Sequence, residues 1–159
     1  MKTAVLETPL GRIRIRGNEN SITEVTFVSE EIEVTEDAQL PSEIVKAKTQ
    51  LQAYFHNSLK NFDLNLKPSG TDFQKKAWSQ LQQVPFGSTE NYLAIAKKLG
   101  DIKVIRAAAS ANGKNPIAII IPCHRIIGSD GSLTGYAGGL WRKKWLLEHE
   151  SGLRQTSLF

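Results

Sequence analysis

The sequence predicts an α+β chain in two parts, a small α/β unit over residues 1–68 and a mostly helical unit over 69–159. Two periodicities and one break lead to this reading. Apolar residues alternate with polar ones through much of the first 66 positions, the period of a half-buried strand. Beyond residue 70 they recur every three or four positions, the period of a helix with one buried face. Between the two lies Lys67-Pro68-Ser69-Gly70, a stretch that suits a linker better than either regular structure.

Residues 2–7 and 12–16 read as strands, the second alternating strictly as Arg12-Ile13-Arg14-Ile15-Arg16, with Pro9-Leu10-Gly11 as the turn between them. Residues 22–28 continue the pattern with Val25 and Phe27 on one face, and Glu30 to Asp37 is an acidic connection. Ile44, Ala47, Leu51, Tyr54 and Phe55 predict a helix begun at Pro41-Ser42, and Phe62, Leu64 and Leu66 predict one more strand.

In the second unit, Thr71 followed three residues later by Gln74 is a capping-box pattern opening a helix striped by Phe73, Ala77, Trp78, Leu81 and Val84. Pro85-Phe86-Gly87 ends it. A second helix, capped by Ser88 or Thr89, runs through Tyr92, Leu93, Ile95, Ala96 and Leu99 to Gly100. A third starts at Asp101 and runs to about Asn112, so that an initial helix and two short ones give the outline of a helix-turn-helix. Ile117 to Ile121 is a buried strand or extended segment, Gly128 to Gly135 a polar glycine-rich loop, and Leu140 to His149 a last helix burying Trp141, Trp145 and Leu146.

The net charge of +4 is unevenly divided: residues 1–70 carry −2 and residues 71–159 carry +6. A basic half of this kind fits a polyanionic partner. No apolar run reaches the ~20 residues of a membrane-spanning helix, so no membrane association is expected. The amino terminus carries Glu7 early and lacks the apolar core of a signal peptide, and a single cysteine can form no internal disulfide; both point to the cytoplasm.

That cysteine, Cys123, carries the chemistry. A lone cysteine after an apolar run is ordinarily a packed core residue. Pro122-Cys123-His124-Arg125 argues otherwise, because His124 and Arg125 are costly to bury unpaired and must face water or a polar cleft. A thiol with imidazole and guanidinium beside it is favoured as the nucleophilic thiolate. On an extended chain neighbouring side chains point to opposite faces, so unless the chain turns there, proton transfer from Cys123 to His124 would pass through a water. Adjacent Cys and His make a poor chelate, and no metal is expected.

Phe73-Gln74, Pro85-Phe86-Gly87, Gly113-Lys114-Asn115-Pro116, Ile121-Pro122-Cys123-His124-Arg125, Gly135-Tyr136-Ala137-Gly138-Gly139-Leu140 and Trp145-Leu146-Leu147 with Glu150 occur in one order over half the chain. In this set the sequence resembles the methylated-DNA–protein-cysteine methyltransferases, also called O6-alkylguanine-DNA alkyltransferases. The resemblance implies a ribonuclease-H-like amino-terminal domain and a winged-helix-like DNA-binding domain. It implies DNA repair in which an alkyl group moves, once per protein and without a cofactor, from O6-alkylguanine in duplex DNA to Cys123.

By the same resemblance His124 takes the thiol proton through a water and Glu150 holds the imidazole. Tyr92 contacts the flipped guanine, and Arg106 fills the space that the base leaves. Asn115 braces the turn before the cysteine segment, Tyr136 walls the pocket, and the backbone around Cys123, Ile126 and Ala137 hydrogen-bonds the base. Arg125 is counted with the substrate-binding residues. Arg106-Ala107-Ala108-Ala109-Ser110-Ala111 is small enough in its side chains to approach a minor groove only ~6 Å wide. Lys97, Lys98, Lys103, Lys114 and Arg142 to Lys144 are candidates for phosphate contacts. The sequence departs from the family in lacking the zinc ligands of some relatives and in having Ala108-Ala109 where valine-glycine is usual. A monomer is expected. The competing reading, a non-catalytic sensor of alkylated guanine that recruits other repair proteins, is disfavoured because such relatives lack the cysteine.

Overall fold

The computed structural model describes residues 1–29 and 35–152, and it divides into two compact units. The first comprises Met1–Ser69 with Pro116–Ala118, the second Gly70–Asn115 with the residues from Ile119 onward.

In the first unit β1 (Lys2–Thr8), β2 (Gly11–Gly17) and β3 (Ile22–Val28) form an antiparallel sheet in that order, with Leu6 opposite Ile13 and Ile15 opposite Val25. The strict alternation of β2 explains its placement: Ile13 and Ile15 are fully buried, while Arg12, Arg14 and Arg16 lie on the other face, paired with Glu7 and Glu24. Helix α1 (Ser42–Phe55) covers the buried face with Ile44, Ala47, Leu51 and Tyr54. Most of the acidic connection, residues 30–34, lies outside the described residues.

The strand expected over 62–66 reduces to a single bridge between Leu66 and Ile22. Side chains of α1 occupy the backbone that a second strand would need. Gln50 both donates to the Asp63 carbonyl and accepts from its N–H, and Glu43 accepts the Asn65 N–H at 2.6 Å. Residues 117–121 are buried as expected but are not a strand. Ile117 bridges Val25, and Ile119 then takes φ +72°, a left-handed backbone strained for a β-branched residue.

The second unit opens with α2 (Asp72–Leu81), whose capping box is present from both sides: Thr71 Oγ1 accepts from Gln74 N–H, and Gln74 Oε1 accepts from Thr71 N–H. Trp78 is buried and donates its indole N–H to the Ala111 carbonyl at 2.8 Å, tying α2 to α4 (Ile105–Gly113). Gly70 permits this packing, since a Cβ there would sit 2.5 Å from the Trp78 ring.

Helix α3 (Tyr92–Lys98) is capped by Asn91, not by Ser88 or Thr89. The chain stays extended to residue 91 because β4 (Glu90–Asn91) pairs in parallel with β5 (Ile126–Ile127). Asp101 caps a 3-10 turn at Ile102–Val104, so α4 begins only at Ile105 and Arg106 is its second residue. In α5 (Leu140–Ser151), Leu146 is buried as expected, but Trp141 is 56% exposed and stacks against the Arg142 guanidinium. Among the described residues no helix is long and apolar enough to cross a membrane.

Candidate active site

Pro122 breaks the buried run, and Cys123–Arg125 form a 3-10 turn, so the extended geometry considered for the PCHR motif does not apply. The Ile126 N–H closes the turn on the Cys123 carbonyl. Two asparagines hold the segment: Asn115 donates to the Ile121 carbonyl at 2.7 Å and hydrogen-bonds the thiol, and Asn112 donates to the Cys123 carbonyl at 3.4 Å. Helix α5 packs against the turn and brings Glu150, 26 residues further along the chain than His124, to its side chain. Gly87 turns the break after α2 beside the same helix. It takes φ +82°, and its missing Cβ would lie 3.4 Å from the Glu150 carbonyl oxygen.

Three buried charge-bearing side chains form one unit. His124 Nε2 lies 2.7 Å from Glu150 Oε2, while Arg125 reaches Glu150 Oε1 through Nε at 2.8 Å and Oε2 through Nη2 at 3.0 Å. Burial pushes the Glu150 carboxyl up, but His124 and the permanently charged Arg125 outweigh it and hold the group far below the usual carboxylate range. Burial holds the His124 imidazole down, so it is neutral near neutral pH. An ionised carboxylate can only accept, so Nε2 carries the ring proton and Nδ1 holds a free lone pair. Nδ1 is itself buried with no hydrogen-bond partner among the described residues. This is the arrangement of a general base.

The thiol differs from expectation. Cys123 is only 5% exposed, and burial pushes its pKa up despite the Asn115 hydrogen bond and the charge of Lys143. The resting site is therefore neutral thiol beside neutral imidazole, and the thiolate has to form when the proton leaves. The guanidinium that was expected to help is directed elsewhere. Arg125, expected among the substrate-binding residues, is 6% exposed and engaged within the protein, by Glu150, by the Val84 carbonyl at 2.7 Å and over the Phe86 ring. An ion pair with a buried carboxylate outcompetes exposure to solvent for a group so readily paired.

The other expected site residues differ in burial. Tyr136 has a buried hydroxyl, and burial, with the charge interaction with Cys123 second, pushes its pKa well up. Ala137 is exposed just beyond it, and Ile126 is buried in β5. Tyr92 begins α3, its hydroxyl 2.8 Å from Thr134 Oγ1. Arg106 is exposed on α4 together with Ala107, Ala109 and Ser110, while Ala108 and Ala111 pack inward.

One residue of the site was misplaced by the sequence reading. Lys143, grouped with Arg142 and Lys144 for phosphate contacts, is fully buried and donates to the Thr134 carbonyl at 2.9 Å. Burial holds its pKa down, opposed by Cys123. The signal was available in its spacing, since Lys143 and Glu150 are seven residues apart and share one face of α5. Arg142 is likewise tied back, to the Gly138 carbonyl, leaving Lys144 exposed. Among the described residues no group of three or more His, Cys, Asp or Glu could hold a metal ion.

Comparison with known proteins covers both units. Residues 1–68 match the ribonuclease-like domain of 6-O-methylguanine DNA methyltransferase, and residues 72–152 match its DNA binding domain. The methylated-DNA–protein-cysteine methyltransferase of Methanosarcina acetivorans is 46% identical over 153 residues, 94% of this chain and 98% of that protein. That of Mycobacterium bovis is 42% identical over 155 residues, 96% of this chain and 94% of its own length. The crystal structure of Mycobacterium tuberculosis OGT in complex with DNA superposes with a TM-score of 0.86 at 40% identity, covering 96% of this chain and 94% of that one. With a buried Cys-His-Glu site in the matched segment and relatives aligned along nearly its whole length, this chain belongs to the methylated-DNA–protein-cysteine methyltransferase family.

Proposed function

We propose that the protein repairs DNA by taking the alkyl group of O6-alkylguanine onto Cys123. The observation that carries this reading is the single cysteine held in a tight turn beside the His124–Glu150 pair, in a chain of this family. His124 Nδ1 accepts the thiol proton through a water, Glu150 stabilises the imidazolium, and the thiolate displaces guanine. The Sγ–C bond forms as the C–O6 bond breaks, and guanine leaves with its electron pair and takes up a proton. The base itself is the alkyl donor, so no cofactor is required. A thioether resists water and thiols, so each protein acts once.

The target carbon is shielded in the duplex, and reaching it requires flipping the base at a cost of a few kcal/mol. In this reading residues 69–159 bind the minor groove through α4, Arg106 fills the gap in the stack, and Tyr92, Tyr136 and the backbone near Ala137 receive the base. Asn115 supports the reaction by fixing the segment that leads to the thiol. The protein acts as a cytoplasmic monomer on double-stranded DNA. The sensor alternative is disfavoured because its mode needs no nucleophile, and here the Cys123 thiol is hydrogen-bonded by Asn115 and felt electrostatically by Lys143.

Intact-mass measurement after mixing with a duplex containing one O6-methylguanine tests the reading. One methyl group per protein, located on Cys123, is expected. Many turnovers per protein, or modification at another residue, overturns it.

A further inference from the structure

The glycine-rich segment between the cysteine turn and α5 is closed on itself at both ends, the far one by the Gly139 N–H donating to the Tyr136 carbonyl at 2.9 Å. Gly128 N–H donates to the Ser132 carbonyl, Gly131 N–H to the Gly128 carbonyl, and Ser132 N–H to Asp130. Between these two turns the chain is held at Thr134. Its carbonyl accepts from the buried Lys143 ammonium of α5 at 2.9 Å, and its hydroxyl lies 2.8 Å from the Tyr92 hydroxyl of α3. One half-buried residue thus joins the loop to two helices. Tyr136, two positions on, lies within electrostatic reach of Cys123, and Tyr92 directly follows the short strand paired with the residues after the cysteine turn.

We propose that Thr134 is a positioning residue for capture of the alkylated base. It holds the Tyr92 hydroxyl on one side and the wall carrying Tyr136 on the other, with Lys143 as the anchor. Two hydroxyls bring two protons, and the bond between them uses one. The pair therefore keeps a donor for a ligand while the tyrosine ring is held in place. Without the Thr134 hydroxyl the Tyr92 ring would have to be ordered when the base arrives, and that ordering is charged against binding. The limiting chemical step depends on Cys123, His124 and Glu150, whereas the Thr134 hydroxyl bonds Tyr92.

This inference rests on the proposed alkyl transfer, and single-turnover kinetics separate the two. Rates are measured against increasing concentration of a duplex with one O6-methylguanine, for wild type, Thr134→Val, Thr134→Ser, Tyr92→Phe and the Thr134→Val/Tyr92→Phe double variant. Thr134→Val keeps the shape and removes the hydroxyl, and loss of one hydrogen bond predicts a half-saturating concentration about tenfold higher. The limiting rate and its pH profile should stay at wild-type values, and Thr134→Ser should restore tight binding. Adding Thr134→Val to Tyr92→Phe should cause no further loss, because one contact is being removed twice. Thermal melts check folding, and Thr134→Ala removes the same hydroxyl if Thr134→Val is unstable. An unchanged half-saturating concentration in the hydroxyl-free variants, or additive effects of Thr134→Val and Tyr92→Phe, overturns the inference alone. A wild type that transfers no alkyl group to Cys123 overturns the functional reading and this inference together.

Discussion

Replacing Glu150 by Gln preserves the shape of the side chain and removes its charge. The carboxylate, on a side chain 1% exposed, accepts one hydrogen bond from His124 and two from Arg125. An amide offers one oxygen for those three donors and turns its own N–H groups toward them. The Arg125 guanidinium is then buried without its counter-charge, and breaking a buried pair from one side costs about 3–5 kcal/mol. Against a typical total of about 5–15 kcal/mol, Glu150→Gln should still fold but melt about 10 °C or more below wild type.

The pH dependence of that loss has a definite sign. Glu150 is depressed in the folded protein, so its contribution is fully present above the ordinary carboxylate pKa of about 4.5 and declines as pH falls below it. The gap between wild type and Glu150→Gln should be constant from pH 7 to about 5 and narrow in more acid solution. Alkyl transfer to free O6-benzylguanine should slow by about 10²-fold or more, because the imidazolium formed in the reaction loses its carboxylate. Urea unfolding across pH and single-turnover rates measure both effects. A variant that unfolds at the wild-type urea concentration and reacts at the wild-type rate would show that the buried unit contributes to neither stability nor chemistry.

Cys123→Ala should gain no methyl group in intact-mass measurements yet retain affinity for DNA in a filter-binding or anisotropy assay. Arg106→Ala, at an exposed position, should leave the melting temperature near wild type and slow repair of duplex DNA far more than reaction with free O6-benzylguanine; equal losses on the two substrates would remove Arg106 from base extrusion. His124→Ala and Glu150→Gln should be non-additive in the rate of reaction with O6-benzylguanine, as members of one unit. Because burial holds His124 neutral, the unfolded chain takes up a proton there that the folded chain does not, so stability should fall as pH drops below about 6.5. His124→Gln should flatten that part of the urea profile, and a profile unchanged by the substitution would place the acid sensitivity elsewhere. Asn115→Ala leaves the Ile121 carbonyl without its side-chain donor and should cost about 1–3 kcal/mol in urea unfolding.

What could be read from the sequence was written in neighbours along the chain. The alternation of Arg12 to Arg16 identified a strand with one buried face, and Thr71 with Gln74 identified the start of α2 three residues apart, because both patterns repeat within the reach of local backbone geometry. The ordered motifs around Cys123 identified the family, and Glu150 entered the candidate site through the resemblance they carry. Tertiary structure decided the rest. Asn91 caps α3 because Glu90 and Asn91 pair with Ile126 and Ile127, a partner strand invisible to any local window. Arg125 is inward because Val84, 41 residues away, and Glu150, 25 residues away, supply acceptors that water would otherwise provide. Lys143 is buried beside exposed Lys144 for the same reason, its ammonium satisfied by a carbonyl of the loop before α5. Whether a polar side chain goes inward depends on who meets it there, and those partners are brought together only by folding.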